Sequence, residues 1–98
     1  MGRDKITAAY LLAKKANGTL YVGSTRDLIE RVWLHRNGQG AIFTRRYGVT
    51  RLVWFQAFAL VTEARAREYE IKKWRRAWKI DLIEETNPDW TDLYPKLA

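Results

Sequence analysis

The chain has 98 residues, no cysteine, one histidine, and 18 Lys+Arg against 11 Asp+Glu, a net charge of +7. That length suits one domain with its own core; the missing cysteines exclude disulfides, thiolate metal sites and a cysteine nucleophile, and the single histidine excludes a multi-imidazole metal centre. No apolar run approaches the roughly 20 residues a bilayer needs, and Met1-Gly-Arg-Asp-Lys-Ile6 lacks the apolar stretch of a signal peptide, so a cytoplasmic protein without membrane association is expected.

In chain order, Ala8 to Ala13 reads as a short buried strand. Asn17-Gly18 is a hairpin turn signal, because both residues tolerate positive φ. Thr19 to Ser24, β-branched and aromatic, reads as the second strand. A turn centred on Asn17-Gly18 puts Tyr10 opposite residues 24–25, with Tyr21 as a diagonal neighbour. Asp27 N-caps a helix, with Glu30 completing a capping box, and the helix runs to about Arg36 and stops at Asn37-Gly38. Residues 38–48 read as a polar, glycine-containing loop with Arg45 and Arg46. Arg51 to Ala59 reads as a third strand. Thr62 caps a second helix from Glu63 to about Arg75, and a third, Ala77 to Glu85, ends before Asn87-Pro88. The expected fold is one α/β domain over residues 1–98, with its core at about 7–94. It has a small three-stranded, mainly antiparallel sheet flanked by helices, in the order ββαβαα.

With 47% apolar and 13% aromatic residues the chain is not a disordered one. Its charge is uneven. Residues 1–79 hold 17 basic and 6 acidic side chains, whereas 80–98 hold Lys96 against Asp81, Glu84, Glu85, Asp89 and Asp92. A polyanion, most often nucleic acid, is the expected partner, on a surface built before residue 80.

Three features carry chemistry. On the second helix Ala64, Ile71 and Trp74 mark the apolar face, and Glu68 falls on it; Glu63 and Glu70 lie on another stripe with Arg67 and Lys73 in pairing range. A carboxylate directed inward requires a cation, either an arginine of the chain or an ion from solution. On the first helix Arg31 and His35 share a face, Arg31 with a donor fork suited to phosphate and His35 able to donate or accept near neutral pH; an exposed basic helix is the plainer alternative. On the hairpin, Tyr10 and Tyr21 share a face, as a functional pair or as core aromatics.

Taken together, Ala8-Ala9-Tyr10, ten residues, Tyr21-Val22-Gly23, then Arg31, His35, Glu68 (in Ala-Arg-Glu-Tyr-Glu-Ile-Lys-Lys-Trp) and Asn87 (in Asn-Pro-Asp-Trp) resemble the GIY-YIG nuclease superfamily. The likeness is greatest to its small, stand-alone bacterial members. More distantly the chain is similar to the N-terminal incision domain of the bacterial repair excinuclease. Ala8-Ala9 departs from the Gly-Ile of the family name at two strand-packing positions. The resemblance implies a metal-dependent endonuclease that hydrolyses DNA phosphodiester bonds, in repair or recombination; a non-catalytic DNA- or RNA-binding module with the same fold is the alternative.

It also implies roles. Glu68 would bind one Mg²⁺ (or Mn²⁺), Arg31 would contact the scissile phosphate, and His35 would hydrogen-bond near the attacking water or the phosphate. Tyr10 would be the general base, helped by Tyr21, and needs positive charge from Lys14, Lys15 or Arg31, because an unperturbed Tyr titrates near 10. Gly23 would permit close approach of a neighbour. Asn87 would complete the site or simply turn the chain before Pro88. Arg45 and Arg46, and the cluster Lys72, Lys73, Arg75, Arg76 and Lys79, are candidates for phosphate contacts. The second cluster alternatively covers Trp74 and Trp78 with its long stems. Branched or damaged DNA is the expected substrate class, and a protein partner is compatible with so small a chain.

Overall fold

The computed structural model describes residues 4–97, so Met1, Gly2 and Arg3 of the N-terminal stretch and Ala98 lie outside the described residues. The elements are β1 (Ala8–Ala13), β2 (Leu20–Thr25), α1 (Leu28–Arg36), α2 (Ile42–Tyr47), β3 (Arg51–Ala57), α3 (Val61–Lys72), α4 (Arg76–Thr86) and α5 (Tyr94–Leu97). The three strands form one antiparallel sheet in the order β2-β1-β3. The expected small α/β domain is thus present, with ββααβαα as its order before the short α5. No helix among the described residues is long and apolar enough to cross a membrane.

β1 is the central strand and is buried along its whole length, which explains an apolar run without alternation: helices cover both of its faces. Ala9, Leu11 and Ala13 pack with Val22 and Val53 against Ile71 of α3 and Ile83 of α4. On the opposite face Ala8, Tyr10 and Leu12 pack with Leu52 against Leu28 and Val32 of α1. The domain is therefore three layers, and the sheet's outer edge at β2 is where groups from both faces can meet.

Four expectations change. First, residues 38–48 are not all loop. Ile42–Tyr47 forms α2, which ends at Gly48 in the left-handed conformation (φ 65°). The glycines bracket the helix rather than interrupt it. Second, the turn is wider than Asn17-Gly18 suggests. Ala13 pairs with Leu20, so six residues form the loop and the register moves: Tyr10 faces Gly23, not 24–25. Third, α3 starts at Val61, two residues earlier than a Thr62 cap requires. The Leu60 N–H donates to Glu63 Oε1 (3.1 Å), so Glu63 holds the helix start. Fourth, Arg67 pairs with Glu70, not with Glu63. The Asp27 side chain caps α1 as expected, accepting from the Glu30 N–H at 3.3 Å, but the Asp27 N–H donates to Thr25 Oγ1 (3.0 Å) instead of to the Glu30 carboxylate of the expected box.

Candidate active site

Tyr10 is central to the site because Gly23 is opposite it. A Cβ on Gly23 would lie 2.5 Å from Tyr10 Oη and 2.6 Å from Cζ. Only a glycine lets the Tyr10 ring cross β2 toward the sheet edge. There the hydroxyl meets His35 Nε2 at 3.1 Å, and Tyr10 and His35 are both almost fully buried. The other imidazole nitrogen, Nδ1, lies 2.8 Å from Thr44 Oγ1, whose hydroxyl donates to Ala41 O at 2.8 Å. Since the Thr44 proton is committed, Nδ1 must be the protonated nitrogen and Nε2 accepts from Tyr10. Gly40 closes this cradle, because a Cβ there would fall 2.2 Å from His35 Nδ1.

The electrostatics follow from burial. Desolvation, with the Arg31 charge added, holds the His35 pKa down to about 4, so the imidazole is neutral at pH 7. Desolvation first, then the neighbouring Tyr21, pushes the Tyr10 hydroxyl well above the usual tyrosine range; Arg31 opposes this and Glu68 reinforces it. Of the three cations expected to act on Tyr10, Arg31 of α1 is the one whose charge lowers its pKa. Lys14 and Lys15 sit in the turn beyond β1. Tyr21 lies with its ring 6.4 Å from Tyr10 and 5.3 Å from His35, so the three rings form one cluster.

Glu68 approaches from the opposite layer. It accepts from the Ser24 hydroxyl of β2 and pairs with Lys72 Nζ at 2.6 Å. Its side chain is 20% exposed. The inward carboxylate does have a cation, but it is the lysine one turn further along α3 rather than an arginine. Glu68 and Lys72 border a cleft of about 380 Å³ together with Ser24, Arg65 and Tyr69. Ser24 and Arg65 also border a second cleft of about 360 Å³, lined as well by Lys5, Arg26 and Arg31 and by Asp27 and Glu30. The carboxylate, the tyrosine–histidine pair and Arg31 therefore converge on the β2 edge.

The chain as a whole has relatives among known proteins. The family model of the GIY-YIG catalytic domain matches residues 7–81. The chain belongs to the GIY-YIG family. A UPF0213 protein of Staphylococcus saprophyticus is 40% identical over 74 residues, 76% of this chain and 90% of the relative. One of Clostridium perfringens is 45% identical over 74 residues, 76% and 78% of the two chains. The solution NMR structure of a UPF0213 protein from Bacillus halodurans, 34% identical, aligns with a TM-score of 0.54 over 88% of this chain and 90% of that one. GIY-YIG is a nuclease family; the UPF0213 names state no activity.

Of the family-motif positions, Tyr10, Tyr21, Gly23 and His35 come into contact, and Arg31 and Glu68 act on Tyr10 through their charges. Asn87 is not brought to them. It ends α4, donates from Nδ2 to Val53 O (3.0 Å) and Thr91 O (2.9 Å), and accepts from the Thr91 N–H (3.0 Å). The turn alternative describes it. The basic cluster divides similarly. Arg76 donates to Asn17 O and Gly18 O and ties α4 to the hairpin turn. Arg75 lies over the Trp78 ring at 4.9 Å. Lys72 belongs to Glu68. Lys73, Arg45 and Arg46 are exposed.

Sequence reasoning misses four participants. Ser24 carries a signal, since it is two residues after Val22 and so shares its face. Arg65 and Thr44 have none: Arg65 is one charge among many, and Thr44 falls in an expected loop. Gly40 is visible only as loop composition.

Proposed function

We propose that this GIY-YIG protein is a metal-dependent endonuclease that hydrolyses DNA phosphodiester bonds, acts on branched or damaged DNA in repair or recombination, and works in the cytoplasm. The observation that carries the reading is the buried Tyr10–His35 hydrogen bond at the sheet edge, with Arg31 and Glu68 close enough to shift the Tyr10 hydroxyl in opposite directions. A purely structural buried tyrosine does not need a neutral histidine base with its tautomer fixed by Thr44.

Each residue is given a role that suits its place. Arg31, exposed beside Lys5 and Arg26, binds and orients the scissile phosphate. Tyr10 is the general base toward the attacking water, with the Arg31 charge favouring its phenolate, and neutral His35 holds the hydroxyl in place through Nε2. Tyr21 holds the ring cluster and packs beside the reacting oxygens. Asn87 stays with the fold.

Among the described residues no group of three or more His, Asp or Glu side chains gathers to hold an ion. Glu68, partly exposed in a polar cleft beside the Ser24 hydroxyl, still fits as the single protein carboxylate of a Mg²⁺ (or Mn²⁺) ion, which takes most of its shell from water and phosphate. Bound there, the ion supplies positive charge to the phosphate and acidifies water. Lys72 neutralises Glu68 in this structure and would be free to meet the phosphate if an ion took its place on the carboxylate. Arg45, Arg46 and Lys73 extend the phosphate-binding surface.

The Glu68–Lys72 pair also favours a second reading, a non-catalytic nucleic-acid-binding module in which Glu68 is structural. Incubation with flapped, nicked and branched DNA, and with RNA of the same shapes, in Mg²⁺ or Mn²⁺ separates the two. Cleavage abolished by Glu68→Ala and by Tyr10→Phe is expected. Salt-sensitive binding without cleavage, unaffected by Glu68→Ala, selects the module instead.

A further inference from the structure

Helix α2 exposes a surface that its support of His35 does not require. Thr44, which orients the imidazole, is fully buried, yet its neighbours Phe43, Tyr47 and Ile42 are 42%, 45% and 73% exposed. Apolar surface of this kind is unfavourable in water unless a ligand covers it. The arrangement is ordered: the Phe43 ring stacks on Tyr21 at 6.3 Å and 26°, and Tyr47 leans on Phe43 at 4.9 Å. Since Tyr21 also lies against His35, a continuous aromatic track leads from the Tyr10–His35 pair to the surface.

The charged side chains of α2 itself have one sign. Arg45 and Arg46 are on the same helix, with Arg46 5.8 Å from the Tyr47 ring. Between Glu30 and Glu63 the sequence has no acidic residue. Aromatic faces interleaved with arginines suit a ligand of flat rings joined by phosphates. A protein partner suits them less, because three side chains fall far short of the ~800 Å² per side of a stable protein interface.

We propose that Phe43, with Tyr47, is a stacking platform for an unpaired nucleobase beside the scissile phosphate. This would make DNA with a splayed or unpaired nucleotide, rather than continuous duplex, the preferred substrate. The proposal rests on the nuclease reading for its ligand. In a duplex every base is stacked on both sides, so reaching Phe43 requires unstacking that costs a few kcal/mol; an unpaired base avoids that cost.

The test is equilibrium binding by fluorescence anisotropy in EDTA, with a flapped DNA and a continuous duplex of equal length. Stacking on an aromatic contributes about 1–3 kcal/mol per base, or roughly 5- to 150-fold in affinity. The protein should prefer the flap. Phe43→Ala should remove that preference while changing duplex affinity less than about twofold, and Phe43→Trp should keep it. Because Phe43→Ala also takes packing away from Tyr21, the unpaired base is in addition replaced by an abasic residue with the protein unchanged. The same loss is expected, with no further loss when both changes are combined.

Equal binding of intact and abasic flaps overturns the proposal, as does a Phe43→Ala effect equal on flap and duplex. No effect on either also overturns it, and assigns the patch to a protein. Cleavage is scored separately in Mg²⁺. Discrimination without cleavage removes the nuclease reading alone, and cleavage indifferent to unpaired bases removes this proposal alone.

Discussion

A single methyl group at Gly23 tests how the site is built. A Cβ there would lie 2.5 Å from Tyr10 Oη, 2.6 Å from Cζ and 3.0 Å from Cε1. Non-bonded carbons settle at about 3.5–4.0 Å, so the Tyr10 ring would have to retreat by on the order of 1 Å. It has nowhere to go, being 1% exposed and packed among Leu12, Leu28 and Leu52. Overpacking of this kind costs about 1–3 kcal/mol. Pulling the hydroxyl from His35 Nε2 leaves a buried acceptor unsatisfied, about 1–2 kcal/mol more. Replacing a strand glycine offsets roughly 0.5–1 kcal/mol of this. Gly23→Ala should therefore destabilise the fold by about 2–3 kcal/mol, a fall in Tm of roughly 10–20 °C for a domain of this size. Urea unfolding followed by tryptophan fluorescence measures it. Tyr10→Phe in the Gly23→Ala background removes the Oη contact but leaves those with Cζ and Cε1, so it should recover only part of the loss. A variant as stable as the parent, or strict additivity with Tyr10→Phe, would refute the proposed crossing of the tyrosine over the glycine.

Two further predictions follow from buried polar groups. His35 is the sole histidine, and its pKa is lowered to about 4 in the folded chain. The unfolded chain binds a proton near the ordinary value of about 6.5, so this group's contribution is fully present above that pH and is lost as pH falls toward 4. Between about pH 7 and 5 the parent should lose roughly 1–2 kcal/mol more stability than His35→Gln, by urea titration at each pH; parallel curves would show that the imidazole is not held neutral. Asn87→Ala deletes an amide joined to three backbone groups, and should cost about 2–3 kcal/mol in the same assay. An unfolding midpoint matching the parent would mean that Asn87 does not hold the α4 end.

Strong local signals were enough for three features: the buried β1, the Asp27 cap, and the apolar face of α3 on which Glu68 lies. These depend on propensity, capping and periodicity, which act within a few residues. The sequence also placed Tyr10 and Tyr21 on one face, because alternation along paired strands is insensitive to a two-residue error in register. The error itself matters. Whether Tyr10 faces Gly23 depends on the width of the turn, and Asn17-Gly18 alone does not fix it. α2 reads as loop because Gly38, Gly40 and Gly48 dominate the composition there, although they lie outside the helix.

Most partners of the buried polar groups come from distant segments of the chain. Glu68 found its cation locally, in Lys72 one turn further along α3, but packing against β2 added Ser24. Asn87 and Arg76 look available for a ligand until chain segments 34 and 59 residues away supply backbone carbonyls for them. The neutral state of His35 likewise has no local signature. It results from desolvation by strands and helices that meet only in the folded chain, and desolvation depends on three-dimensional neighbours rather than on neighbours in sequence.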